Sequence, residues 1–162
     1  FTFFSKNGLI KNLLHWLKYK NQEQIGGFLG DWCAAQLKND PGLDNIEVVI
    51  PVPLHPKKLK KRGYNQVALF AQKIAENIHA EYRDDVLLKV INTKTQTKKD
   101  RQLRWETSKE AFVLNPKAEI NFRHALLVDD VITTGATIEI CTRTLLELHN
   151  LEISVLSMAM VP

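Results

Sequence analysis

The chain has 162 residues, 44% of them hydrophobic and 25% charged, which suits one globular domain with its own core. No run of about 18 apolar residues occurs, which argues against a membrane-spanning helix, and the apolar run over 1–4 is too short for a secretory leader. The 22 Lys and Arg against 18 Asp and Glu leave a net charge of +4, which suits an anionic ligand or nucleic acid without demanding either.

Leu9, Leu13, Trp16 and Leu17, widened by Ile10 and Leu14, fall at helical spacing and predict a helix over 8–20. A second helix is expected over 24–37, and Asn39-Asp40-Pro41-Gly42 is turn chemistry. Residues 46–50 form a short β-branched apolar run, read as a buried strand that stops at Pro51-Val52-Pro53. The segment KKLKKR, 57–62, is expected as a basic loop closed by Gly63. Val67, Phe70, Ala71, Ile74 and Ile78 share one face of a helix expected over 64–80. Residues 86–91 read as a strand. Residues 93–108 are polar and without periodicity, a loop of the length that usually carries function. A short strand is expected at 112–114, a strand at 125–128, a helix at 136–148 and a last strand at 153–160. Cys33 and Cys141 form no Cys-x-x-Cys pair, so no zinc site or disulfide scaffold is readable. Both read as small buried groups, and a reducing cytoplasm is the expected location.

Strands alternating with helices imply an α/β fold with a mainly parallel sheet. Such sheets bind ligands beyond the carboxyl ends of their strands, where 51–54 and the pair Asp129-Asp130 fall. The stretch LLVDDVITTGAT, 126–137, has ordinary explanations feature by feature: a strand turning into solvent, a helix cap, a turn. Together the features ask for more. Adjacent carboxylates repel unless a cation or hydroxyls lie between them. A Gly flanked by Thr at a helix start aims N–H groups and hydroxyls at one point, which is an anion cradle. A ligand with hydroxyls and a phosphate one sugar apart satisfies both halves.

VDDVITTGAT, 128–137, resembles the phosphoribosyl pyrophosphate signature of type I phosphoribosyltransferases. VVIPVPLHPKKLKKRGYNQ, 48–66, and TQTKKDRQLRWETSKEAF, 95–112, are similar to elements of the ComF family. GLIKNLLHWLKYKNQ, 8–22, resembles the helix ending in Lys-Tyr that precedes the core in that family, so the resemblance covers nearly the whole chain. There are departures. These residues hold no counterpart of the zinc-ribbon-like Cys cluster with which ComF proteins commonly begin. Thr107 stands where Asn is usual, and Glu110 where Gly is usual.

The resemblance implies a type I phosphoribosyltransferase fold with a small hood from terminal segments. It implies one domain over 1–162, with 1–40 as the hood segment and 44–162 as the core. Asp129 and Asp130 would hold the ribose hydroxyls. Thr133, Thr134, Gly135, Ala136 and Thr137 would wrap the 5′-phosphate. Val52, Pro53 and Leu54 would form the pyrophosphate loop, with Arg62 as its cation. Residues 96–105 would close as a lid that brings Arg101 and Arg104 to the pyrophosphate, with Trp105 anchoring the loop or packing in the core. The implied reaction displaces pyrophosphate from ribose C1 through an oxocarbenium-like transition state, with Mg²⁺ held mainly through the ligand and not by protein groups directly. His55 lies beside the pyrophosphate loop, but no Ser-His-Asp or Cys-His arrangement is readable.

The acceptor, a base or an amine, is not readable from the hood. ComF proteins are often described as amidophosphoribosyltransferase-like, yet no N-terminal glutaminase nucleophile is visible here. A second reading is a non-catalytic protein that binds phosphoribosyl pyrophosphate and aids uptake of single-stranded DNA in competence, with competence proteins as partners. The basic stretches 57–62 and 94–104 would then contact phosphates, with Tyr64 and Trp105 stacking on bases. A homodimer is compatible with either reading.

Overall fold

The computed structural model describes residues 8–37, 40–91 and 111–161. In chain order the elements are α1 (Leu9–Tyr19), α2 (Gln24–Leu37), a 3-10 turn (Pro41–Leu43), β1 (Val48–Pro51), α3 (Pro56–Arg62), α4 (Ala68–Ile78), β2 (Glu81–Tyr82), β3 (Leu87–Lys89), β4 (Phe112–Leu114), β5 (His124–Ile132), α5 (Ala136–Leu145) and β6 (Glu152–Met160). The main sheet has the order β2-β1-β5-β6, with every neighbour parallel. β3 and β4 pair antiparallel in a separate small sheet.

Side chains alternate across a strand, and here both faces are apolar. Val48, Ile50, Ala125 and Leu127 join one buried cluster with Cys141 and Leu145 of α5 and Leu87 and Phe112 of the small sheet. Val49, Leu126 and Val128 join the other, with Phe70 and Ile74 of α4, Leu14 and Leu17 of α1, and Leu29 and Cys33 of α2. A sheet covered on both sides is what parallel strands require. Burying each such leucine contributes about 1.5–3 kcal/mol before chain entropy is subtracted.

The first two helices therefore contribute side chains to the buried hydrophobic cluster on one face of the sheet. α2 approaches α4 closely because Gly30 has no side chain: a Cβ there would lie 2.6 Å from the Lys73 Cβ and 2.9 Å from the Phe70 carbonyl oxygen.

Several elements differ from the sequence expectation. KKLKKR is helical, not a loop. His55 Nδ1 accepts the Lys57 N–H at 3.1 Å, Pro56 opens the first turn, and Gly63 closes the helix at φ 89°. Lys is a good helix former, and the last-turn cations suit the carbonyl end of the helix dipole. The helix expected over 64–80 begins only at Ala68. The strand expected over 86–91 shrinks to β3 and leaves the main sheet. β2 has two residues, too few for a periodic signal. β5 was expected to end at Val128 but runs to Ile132, because β6 keeps pairing with it through Val131–Ala159 and Ile132–Met160. The helix expected over 136–148 ends at Leu145.

Candidate functional site

β1 stops pairing with β5 at Pro51–Val128, while β6 continues alongside. Asp129 and Asp130 lie on this extension, inside a strand yet just past the end of its neighbour. That is the crevice position of an open parallel sheet. Both acids are buried, at 8% and 6% exposure.

Their surroundings differ, because successive strand residues address opposite faces. Asp130 Oδ2 receives Lys18 Nζ of α1 at 2.9 Å and Gln66 Nε2 at 2.8 Å. Gln66 in turn accepts from Arg62 through Oε1. The Arg62 guanidinium lies 5.7 Å from the Tyr19 ring centroid, and Tyr19 lies 5.1 Å from the His15 ring. The Tyr64 hydroxyl donates to the Leu17 carbonyl and holds the end of α1 in place. Leu14 and Leu17 turn inward on α1, which leaves Lys18 aimed at the acid.

Asp129 accepts the backbone N–H of Asp130 at 2.8 Å. Burial, then the neighbouring Asp130 carboxylate, pushes its pKa up to about 7 against the pull of that N–H, Lys18 and Lys89. Its charge also acts on Cys141 of α5, whose thiol burial raises to about 12. One acid is thus compensated by two side-chain donors, and its neighbour holds its proton more tightly than an ordinary carboxyl.

The loop after β5 follows from one residue. Gly135 adopts φ 76°, a conformation costly for side chains with a Cβ, and caps α5. Thr133 and Thr134 are exposed, and Thr134 Oγ1 accepts the Ala136 N–H at 3.4 Å. These residues, with Thr137 and Asp129, line a hollow of about 30 Å³ at the positive end of the α5 dipole.

There are also two larger clefts, the first of which reaches Asp130. One, of about 610 Å³, lies between α1 and the β5 end and is lined by Lys11, His15, Lys18, Tyr19, Asp130 and Thr133. The other, of about 600 Å³, opens at the end of β1 between Pro53, Leu54, His55, Tyr64 and Lys89.

No protein-family model matches the chain. Curated relatives do. Competence protein F of Haemophilus influenzae is 36% identical over 151 residues, covering 91% of this chain and 66% of that protein. Competence protein ComFC of Bacillus subtilis is 30% identical over 145 residues, covering 89% of this chain and 56% of that protein. DNA utilization protein YhgH of Escherichia coli O157:H7 is 30% identical over 129 residues, covering 78% and 56%. The chain belongs to the ComF family. It spans a little over half the length of most of these relatives.

The ComF-family chain also resembles the solved structure of the allosteric regulatory enzyme of purine biosynthesis, with a TM-score of 0.60 over 90% of this chain and 30% of that one. At 16% identity the likeness is one of fold, and the fold is of the phosphoribosyltransferase type. Among the described residues no helix is long and apolar enough to cross a membrane.

In this ComF-family domain the acids and the loop 133–137 are adjacent, as their sequence spacing dictates. Of the expected pyrophosphate loop, Pro53 and Leu54 line the second cleft. Val52 is buried and pinned, its N–H 2.8 Å from the Val128 carbonyl oxygen and its own carbonyl accepting Asn65 Nδ2 at 3.0 Å. Arg62 faces Gln66 and Tyr19, on the α1 side of Asp130. Arg101, Arg104 and Trp105 lie outside the described residues, as do Thr107 and Glu110. Sequence reasoning passed over Lys18, Gln66 and Lys89. The first two sit in quoted motifs, Lys-Tyr and Gly-Tyr-Asn-Gln, but their partner Asp130 is far away in the chain. Lys89 carries no sequence signal at all.

Proposed function

We propose that this domain binds 5-phosphoribosyl pyrophosphate and transfers its phosphoribosyl group to a nitrogen acceptor, releasing pyrophosphate. The observation that supports the reading best is the buried Asp129-Asp130 pair on the β5 extension, followed at once by the Gly135 loop at the start of α5. The acids would accept hydrogen bonds from the ribose 2′- and 3′-hydroxyls, and the loop N–H groups from 133 to 137 would hold the 5′-phosphate. The acceptor lone pair then forms the bond to C1 while the C1–O bond to pyrophosphate breaks, the leaving group taking the electron pair. Such chemistry needs positioning and charge stabilisation and no covalent nucleophile.

Among the described residues no group of three or more His, Cys, Asp or Glu gathers to hold a metal ion. Carboxylate oxygens with pyrophosphate oxygens make a donor set that suits Mg²⁺, with the ligand supplying most of it. When bound, the ion would offset charge on the leaving pyrophosphate. The acceptor, a base or an amine, would approach from the α1 cleft beside Asp130.

Calorimetric titration of phosphoribosyl pyrophosphate, with and without Mg²⁺, tests the reading against the Asp129→Asn/Asp130→Asn variant. Binding by the wild type that the variant loses is the expected result, followed by pyrophosphate release with some member of a panel of bases and ammonia. A folded wild-type chain that binds no phosphoribosyl pyrophosphate overturns it.

A second reading has its own observation. Lys57, Lys58, Lys60 and Lys61 are all exposed on α3, and the relatives are named for competence and DNA utilization. In this reading the domain is a non-catalytic partner of single-stranded DNA. Its affinity would then fall steeply with salt, and neutralising one α3 lysine would reduce the log–log slope by roughly 1. A salt-independent or absent affinity for single strands removes it.

A further inference from the structure

We propose that Lys89 is the fixed cation that receives the pyrophosphate arm of the sugar-phosphate ligand, a role that rests on the phosphoribosyl reading above. Lys89 is the last residue of β3 and stands opposite Phe112 of β4. Its Nζ lies 4.6 Å from the Phe112 ring centroid. The ring offers an attractive face but no lone pair for the three ammonium hydrogens. Lys89 forms no ion pair with a carboxylate among the described residues. A half-buried lysine without a carboxylate partner is costly, and burial, then the charge of Lys58, holds its pKa down. Cys141 and Asp129 pull it the other way. Lys89 therefore lies within electrostatic reach of Lys58 on α3 and of Asp129 on β5.

That placement is what a leaving diphosphate needs. The cleft lined by Lys89 opens at the end of β1, beside Pro53 and Leu54. Lys18 pairs with Asp130 from the α1 side, and both Lys18 and Lys89 draw the Asp129 carboxyl down. A ribose whose hydroxyl is held by Asp129 would present the substituent at C1 to this second cation. Glu23 and Asp84 line the same cleft and act on Tyr82. Phosphate oxygens would supply the acceptors that Phe112 lacks, through charge-assisted hydrogen bonds.

The test uses Lys89→Met, which keeps an apolar stem over Phe112 and removes the charge, and Lys89→Arg, which restores it. Wild type and both variants are titrated, in Mg²⁺, with phosphoribosyl pyrophosphate, with inorganic pyrophosphate and with ribose 5-phosphate. The Met variant is expected to lose about tenfold or more in affinity for the first two ligands and none for ribose 5-phosphate, with the Arg variant recovering most of the loss. Equal affinities of wild type and the Met variant for pyrophosphate and phosphoribosyl pyrophosphate overturn the assignment. So does a parallel loss for ribose 5-phosphate, which marks a structural role, and so does a wild type that binds neither pyrophosphate-bearing ligand. Lys89-dependent binding of pyrophosphate without binding of phosphoribosyl pyrophosphate keeps the assignment and overturns the transferase reading alone.

Discussion

Asp129 and Asp130 are neighbours in sequence and opposites in circumstance. Asp130 faces α1 and is met by an ammonium and an amide, with an arginine behind the amide. Asp129 has one backbone N–H and two more distant lysines, and its pKa climbs to about 7. The difference arises from the two-residue period of a strand, which sends identical side chains into different solvents. A paired motif in a sequence is therefore not a pair of equivalent groups. One of these acids is held by side chains of the scaffold, and the other by a single backbone N–H.

Removing each acid in turn separates the two cases. Asp130→Ala strands Lys18 and Gln66 without their acceptor, and should cost about 2–3 kcal/mol in a denaturant titration. Asp129→Asn should do the reverse and stabilise the fold by about 1 kcal/mol near pH 7.5, while abolishing phosphoribosyl pyrophosphate binding. The sign has a pH signature. The folded chain keeps a proton on Asp129 up to about 7, whereas the unfolded chain releases it near the ordinary 3.8. Between those values the unfolded state binds fewer protons, so wild-type stability falls with rising pH relative to Asp129→Asn and levels off above 7. Parallel stability–pH curves for the two proteins would show that Asp129 is not held as described. The smallest effect is expected at Tyr64→Phe. Losing the hydroxyl bond to the Leu17 carbonyl should cost about 1 kcal/mol by thermal unfolding and loosen Lys18, with Asp129 unaffected. An equal change in the titration of Asp129, followed by carboxyl NMR, would merge the two environments into one.

The fold was legible where the apolar period was regular. Ile46 to Ile50, Leu126 to Val128 and the Phe70–Ile74 face announce a covered parallel sheet. The turn into α5 was legible because its geometry is local: Thr134, Gly135 and Ala136 act on one another. What stayed hidden depended on distant partners. The extension of β5 to Ile132 exists because β6 runs beside it, and nothing in Val131 or Ile132 says so. Lys18 matters through an acid 112 positions later, and Lys89 through a ring on another strand. α3 was misread because a run of like charges was weighed as solvated loop, while the His55-Pro56 start and the Gly63 stop were left out of the balance.

The burial of α1 and α2 also decides what can move beside the acids. Leu14, Leu17, Leu29 and Cys33 are between 0% and 3% exposed, in the same cluster as Leu126 and Val128. Lifting these helices away would open the core to water at several kcal/mol, by the usual value of each buried side chain. α1 is therefore a fixed wall of the cleft beside Asp130. Among the side chains that α1 presents to that cleft is Lys18, a quarter exposed and paired with Asp130.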